Sequence, residues 1–242
     1  MLSVIIPAYN EVETIGKNIK ILKKYLNKLN TNYEIIIAED GSTDGTDNIV
    51  KQIAKTDKSV RTIHRKQKIG RGLALKEAFS IASGNILCYI DADLSPHPKH
   101  LGELIRYAKK NDVVTGSRYV KANAVKRPFS RLVASQVYNW LLRVIFSCPI
   151  YDFQCGLKAF SRNFFEKEIK YIEEKSWAWD TVVLIEAVKK GYRVKEFPVD
   201  WSEKRESPKS SSFKRLISDG IIHGRVLLKL FLKWNMNVKI KL

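Results

Sequence analysis

Asp91 and Asp93 are separated by one residue, Ala92, directly after the apolar run Ile86–Ile90. Two carboxylates at that spacing on a strand end can turn toward one cation. Their hard oxygens suit Mg2+ or Mn2+, and Mg2+ typically takes one or two carboxylates together with substrate phosphates. The bland reading of the same residues is a polar strand end or an Asx turn. A second polar cluster, Glu39-Asp40-Gly41-Ser42-Thr43-Asp44-Gly45-Thr46, follows another apolar run, Tyr33–Ala38. An acid early in that cluster is placed to accept hydrogen bonds from a base or a ribose. Thr43 or Asp44 is placed to cap the following helix, and for Asp44 capping is the preferred reading. Gly70-Arg71-Gly72 opens a further helical stretch, where backbone N–H groups beside glycines are a candidate phosphate cradle.

These residues need elements that bring them together. Leu2–Ile6, Tyr33–Ala38, Val60–His64, Ile86–Ile90 and Val113–Val114 read as short strands, with Pro7 closing the first. Ile15, Ile19, Leu22, Leu26 and Leu29 recur at helical spacing, and Thr46–Ala54 and Leu73–Ser83 read as helices. Asn10, with Glu13 three residues on, predicts a capping box. Strands alternating with helices predict an α/β fold with a mostly parallel sheet, which binds ligands beyond the carboxyl ends of its strands. Asn10–Glu11, Glu39–Asp40 and Asp91–Asp93 all fall at such ends.

The second half reads differently. A helix over about 129–147 is mainly apolar, and Arg131, Ser135, Asn139 and Arg143 repeat every four residues as a narrow polar stripe. Trp179–Lys190 reads as a helix leading to a strand, Arg193–Val199, and Glu203–Ser212 as a polar loop. From Phe213 to Trp234, residues Phe213, Leu216, Ile217, Gly220, Ile221, Gly224, Leu228 and Phe231 keep helical spacing, with Lys214, Arg215, Arg225, Lys229 and Lys233 mainly on the other side. The expected division is a catalytic domain over 1–212 and an amphipathic helical appendage over 213–242.

With 242 residues, 45% of them hydrophobic, the chain is long enough for one large α/β domain. A disulfide miniprotein, a collagen-like repeat and a disordered tail are excluded. Lys plus Arg is 43 against 25 Asp plus Glu, a net charge of +18. That excess predicts attraction to nucleic acid, an acidic lipid surface or phosphorylated small molecules, or else a solvated lysine-rich surface. No helix-turn-helix, zinc knuckle or aromatic RNA-binding signature supports nucleic acid, so none is expected as a partner. Cys88, Cys148 and Cys155 are odd in number and form no Cys-x-x-Cys pair, which argues against a disulfide framework or a cysteine zinc site and fits a reducing, cytoplasmic setting. The sequence starts at once with a strand, so no secretory leader is expected. No charge-free apolar run reaches the length of a membrane span.

Pro7-Ala8-Tyr9-Asn10-Glu11, then Glu39–Thr46, then Asp91-Ala92-Asp93-Leu94-Ser95, in this order and spacing, resemble family 2 glycosyltransferases of the GT-A fold. Asp91–Pro98 and Gly116-Ser117-Arg118-Tyr119 resemble, more narrowly, the polyprenyl-phosphate sugar synthases of the dolichyl-phosphate mannose and glucose type. Asp152-Phe153-Gln154-Cys155-Gly156 and Trp177-Ala178-Trp179-Asp180 are similar to the glucosyl branch. The resemblance spans about residues 2 to 220. It implies a Rossmann-like GT-A sheet flanked by helices, and transfer of a hexose from UDP-glucose or GDP-mannose to a polyprenyl (dolichyl) phosphate with inversion.

Site residues follow from the same resemblance. Pro7, Tyr9, Glu11 and Asp40 are implied to hold the nucleoside of the nucleotide sugar. Asp91 and Asp93, with Ala92 between them on the donor side, are implied to take the divalent metal, Mg2+ or Mn2+, on its diphosphate. The position that often supplies a third ligand is Ser95 here. Arg118, Arg131 and Ser135 match positions that hold the acceptor phosphate, and Arg205 matches a basic residue that closes on the donor diphosphate. Asp180 is placed either as a base or in a positioning role. A base would be needed by the alternative enzyme, one acting on a soluble saccharide or protein, whereas a phosphate acceptor needs none. The two apolar helices, carrying Trp140 and Trp234, have the character of interfacial helices. Peripheral binding to an anionic membrane surface, on its cytoplasmic face, is therefore expected.

Overall fold

A computed structural model describes residues 1–120, 129–202, 213–236, 238 and 240, with the side chains of 129–131 and 213–219 left aside. Strands are β1 (Leu2–Ala8), β2 (Tyr33–Glu39), β3 (Val60–His64), β4 (Ile86–Ile90), β5 (Val113–Ser117), β6 (Leu157–Ser161) and β7 (Val194–Pro198). Helices are α1 (Ile15–Leu26), α2 (Thr46–Thr56), α3 (Arg71–Ile81), α4 (Leu101–Ala108), α5 (Phe129–Phe146), α6 (Arg162–Lys167), α7 (Trp179–Lys189) and α8 (Phe213–Asn235). Among the described residues the strands form one sheet in the order β3-β2-β1-β4-β6-β5-β7. β6 runs antiparallel to both β4 and β5, and the other pairings are parallel.

β1 and β2 are nearly continuous apolar runs because both their faces are covered. Successive side chains point to opposite faces, so Ile5 and Ile36 enter one core with Leu87, Tyr89, Phe160 and residues of α3 and α7. Val4, Ile6, Ile35 and Ile37 enter the other, with Ile15, Ile19, Leu22 and Leu26 of α1 and Leu101, Leu104 and Ile105 of α4. All three cysteines are free and buried.

Several local expectations are corrected. β1 continues through Pro7, which pairs with Ala38. The capping box does not form: α1 starts at Ile15 behind Thr14, and Asn10, at φ 55°, turns its side chain to accept the N–H of Thr43. Asp44 does act as a helix-starting acceptor, taking the N–H of Thr46 at 2.9 Å. The glycines around Arg71 serve close packing, and the N–H groups of Gly70 and Gly72 are already engaged by Asp40 and Lys175. Gly70 has φ +101°, a Cβ there would lie 2.4 Å from the carbonyl oxygen of Lys175, and the N–H of Gly72 already donates to that oxygen.

The two apolar helices divide their apolar residues between the core, where Leu142 and Phe146 of α5 are buried, and the surface. In α5 the polar positions Ser135 and Asn139 are buried, while Val133, Val137, Trp140 and Val144 face solvent, Trp140 at 58% and Val144 at 59% exposure. In α8, Val226 and Leu230 are buried in the core shared with α7, and Lys233 and Trp234 bond the Glu186 carboxylate. Ile221, Leu228 and Phe231 are left outside. Trp234 is thus a packing residue of the domain.

Candidate active site

The carboxyl ends of β1, β2, β4, β5 and β7 and the amino end of reversed β6 share one edge of the sheet. At the end of β4 the chain makes a tight turn in which the N–H of Leu94 donates to the Asp91 carbonyl. Leu94 adopts φ 52°, unusual for its type, and its buried side chain offsets the strain. Ala92 is tied to α1 by the Asn18 amide, at 2.8 Å. Asp93 accepts the N–H of Ser95 at 2.9 Å.

Asp91 leans on β6. Its N–H donates to the carbonyl of Gly156 at 3.0 Å, and a Cβ on Gly156 would fall 1.7 Å from Asp91 Oδ2. Asp91 Oδ1 accepts from Arg71 Nη2 at 2.8 Å, and Arg71 Nη1 donates to Asp180 Oδ2 at 2.6 Å. Asp180 also accepts from the Tyr89 hydroxyl and lies 3.4 Å from Lys158 Nζ. Burial pushes the Asp180 carboxyl up, but the cations of Lys158 and Arg71 and the Tyr89 hydroxyl outweigh it and hold the carboxyl below the usual range. A carboxylate engaged by Arg71, Tyr89 and Lys158 is a poor proton acceptor, which favours the positioning role for Asp180 over the base.

Four residues before Gly156, Asp152 is buried and takes Arg118. Its Oδ2 accepts from Arg118 Nε at 2.7 Å and from the Arg118 backbone N–H at 2.9 Å, and its Oδ1 from Nη2 at 2.8 Å. Two of the five guanidinium donors are therefore committed inside the protein. Arg118 is a buried pair member first, and any phosphate would meet its remaining N–H groups. The Arg118 guanidinium lies 5.4 Å from the Trp201 ring centroid. Tyr119 Oη is 2.7 Å from Ser135 Oγ, which brings α5 beside the end of β5. Arg131 lies in α5 one turn before Ser135, and its side chain, like all of Arg205, lies outside the described residues.

On the donor side, Glu11 and Asp40 are buried and engaged with backbone. Asp40 accepts the N–H groups of Ile69 at 2.7 Å and Gly70 at 3.0 Å, and the Glu11 N–H donates to Thr46 Oγ1 at 2.8 Å. Pro7 is half-buried beside them. Tyr9 is exposed, with Lys68 Nζ 3.7 Å from its ring centroid. The structure thus brings Asp91, Ala92, Asp93, Asp180 and Arg118 to one edge, with Pro7, Tyr9, Glu11 and Asp40 at neighbouring strand ends. Lys158 and Lys68 carry no signal for chemistry in the sequence, and Arg71, Trp177 and Gly156 stand out only as parts of motifs.

Among the described residues, no three His, Cys, Asp or Glu gather around one point. Asp91 and Asp93 offer hard oxygens from two residues only. That donor set fits Mg2+ or Mn2+ completed by diphosphate oxygens and water, and it does not fit an all-protein cage.

A model of Glycosyl transferase family 2 matches residues 3–169. Over 242 aligned residues the chain is 37% identical to glycosyltransferase AglD of Haloferax volcanii, an alignment covering 98% of this chain and 38% of that protein. It is 30% identical over 208 residues to polyprenol monophosphomannose synthase of Mycolicibacterium smegmatis, covering 83% of this chain and 77% of that one. Glucosyl-3-phosphoglycerate synthase from Mycobacterium tuberculosis, solved with Mn2+, uridine diphosphate and glucosyl-3-phosphoglycerate, shares the fold at a TM-score of 0.68 and 20% identity, over 96% of this chain and 79% of that chain.

Proposed function

The chain belongs to glycosyl transferase family 2, and from that premise we propose that it moves a hexose from a nucleotide sugar, UDP-glucose or GDP-mannose, to a polyprenyl (dolichyl) phosphate. The observation that carries the reading is the loop 152–156. It seats Asp91 against Gly156 at one end and pairs Arg118 with Asp152 at the other, so carboxylates for a cation and a guanidinium for a phosphate meet at one edge. Its likeness to a polyprenol monophosphomannose synthase supports the acceptor class.

Two polyanions must approach each other for this reaction. A divalent cation, when bound, supplies charge stabilisation to the departing nucleoside diphosphate. Asp91 and Asp93 are the residues that would hold it. Arg118, Arg131 and Ser135 are assigned to the acceptor phosphate, for which the forked guanidinium is well shaped. A phosphate monoester has a second pKa of roughly 6 and is largely dianionic at neutral pH. One of its oxygens attacks the anomeric carbon, the bond to the donor diphosphate breaks on the opposite face, and the configuration inverts. No side chain has to remove a proton, in keeping with the enclosed state of Asp180. Incubation with Mn2+ or Mg2+, a short polyprenyl phosphate and each radiolabelled donor in turn is expected to move label into organic solvent from one donor. Donor binding without lipid label would overturn the acceptor assignment.

The outward residues of α5 and α8 support a peripheral seat on an anionic bilayer. Val133, Val137, Trp140 and Val144 make one helical stripe, and Ile221, Leu228 and Phe231 another on the helix packed beside it. Exposed apolar surface of this kind, on a chain of net charge +18, suits headgroups and acyl chains. No helix among the described residues is long and apolar enough to cross a membrane. The protein is expected to float with phosphatidylglycerol vesicles more than with phosphatidylcholine ones, less so at high salt, and Trp140→Glu with Val144→Glu to lower the bound fraction about ten-fold. Equal flotation on both vesicle types, or none, would refute this.

A further inference from the structure

Both terminal nitrogens of Arg71 are engaged and two aromatic rings lie beside its guanidinium. Its guanidinium lies 5.0 Å from the ring centroids of both Tyr89 and Trp177. One prong reaches the buried Asp180, the other Asp91. Asp180 is itself anchored by Tyr89 and Lys158, and Lys158 is fully buried with Nζ donating to the Cys155 carbonyl at 2.6 Å. Asp91 Oδ2 meanwhile rests against Gly156, where no side chain is tolerated. The carboxylate of Asp91 is therefore bracketed, by an anchored cation on one oxygen and by bare backbone on the other.

We propose that Arg71 and Asp180 are positioning residues of the donor site, which orient Asp91 toward the cation–diphosphate complex, and that Asp180 acts on the reaction only through Arg71. The inference rests on the reading of Asp91 and Asp93 as cation ligands. Its physical basis is a fork bridging two carboxylates, an arrangement that a single-pronged ammonium cannot reproduce. Before any donor arrives, the carboxylates of Asp91 and Asp180 are balanced by Arg71 and Lys158. A complex of Mn2+ with a nucleoside diphosphate is net negative, so Arg71 favours it both by orienting Asp91 and by its charge. Partners one shell out from a metal ligand typically change metal affinity by roughly 10–100-fold when altered.

The test measures Mn2+ binding in the presence of UDP, by loss of the free-ion electron paramagnetic resonance signal, alongside Michaelis constants for donor and acceptor. Arg71→Lys keeps the buried charge and so preserves the fold, but reaches only one carboxylate. It is expected to weaken Mn2+–UDP binding about ten-fold and to raise the donor KM, leaving the polyprenyl-phosphate KM within about two-fold. Asp180→Asn is expected to do the same. Binding of Mn2+–UDP within about two-fold of wild type by Arg71→Lys, or a loss of kcat in Asp180→Asn with binding intact, would overturn the inference and leave the donor site standing. A wild-type protein that binds no Mn2+–UDP would instead remove the donor-site reading, and this inference with it.

Discussion

Asp152→Asn is expected to lower the melting temperature by roughly 10 °C. The pair it breaks is buried, and Arg118 would keep its charge with the facing carboxylate gone. Removing one partner of such a pair costs about 3–5 kcal/mol, and a domain of this size shifts by roughly 2–4 °C for each kcal/mol. Adding Arg118→Met is expected to restore part of the loss, because an apolar residue leaves no stranded charge. A shift below roughly 3 °C in a circular dichroism melt would contradict the argument. The pH dependence has a definite sign. Burial raises the Asp152 carboxyl, but Arg118 outweighs it and holds the group below the ordinary value of 3.8. A depressed carboxylate stabilises the fold above its unfolded pKa and loses that contribution as pH falls toward the folded one. The stability difference between wild type and Asp152→Asn should thus be constant near neutral pH and shrink below 3.8.

The largest effect on turnover is expected from Asp93→Asn, which should lower label transfer to lipid about a thousand-fold with the fold intact. Asp93 is part-exposed at the turn after β4, and Asn retains the acceptor oxygen for the Ser95 N–H. What it loses is the charge proposed to hold a divalent cation. That cation is worth several kcal/mol to a departing diphosphate, and each 1.36 kcal/mol is a factor of ten in rate. Chelation of wild-type enzyme with EDTA should match the variant, and Mn2+ should rescue the chelated wild type alone. Transfer by Asp93→Asn within about ten-fold of wild type would show that Asp93 does not hold the cation.

Much of the first half is legible in the sequence, because its elements obey single local rules. Val60–His64 and Ile86–Ile90 are short apolar or alternating runs, and both strands have those bounds. The spacing of Ile15, Ile19, Leu22 and Leu26 is the buried face of α1. β6 escapes such reading because Lys158 interrupts its five residues, and the distant Asp180, with the nearby Cys155 carbonyl, makes the buried lysine tolerable. α4 shows helical spacing at Leu101, Leu104, Ile105 and Ala108, but it is short and follows a loop rich in proline. The capping box fails because Asn10 is recruited by Thr43, a partner distant in sequence. In the site, Asp91 and Asp93 stand out by their spacing. The bracket around Asp91 does not, since Arg71, Gly156 and Asp180 meet only through β6 and the N-terminus of α7. In α5 the polar stripe and the interfacial character are legible, but not that Ser135 and Asn139 turn inward. A periodic pattern reports that a helix has two faces, and the packing decides which one is buried.

The reversal of β6 has a consequence for how the protein comes off the ribosome. β3, β2, β1 and β4 pair among themselves, and their pairings are complete once residue 90 has emerged. β5 and β7 join that half only by way of β6, which inserts between β4 and β5. A nascent chain can therefore pair the β3-β2-β1-β4 half early, while Asp91 waits for Gly156 and Arg118 for Asp152. Both waits end together, when the segment 152–161 docks. Long-range closures of this kind are expected to be slow and aggregation-exposed, and Asp91 and Arg118 gain these two partners in one docking step, while Asp180 reaches Arg71 only after α7 has followed.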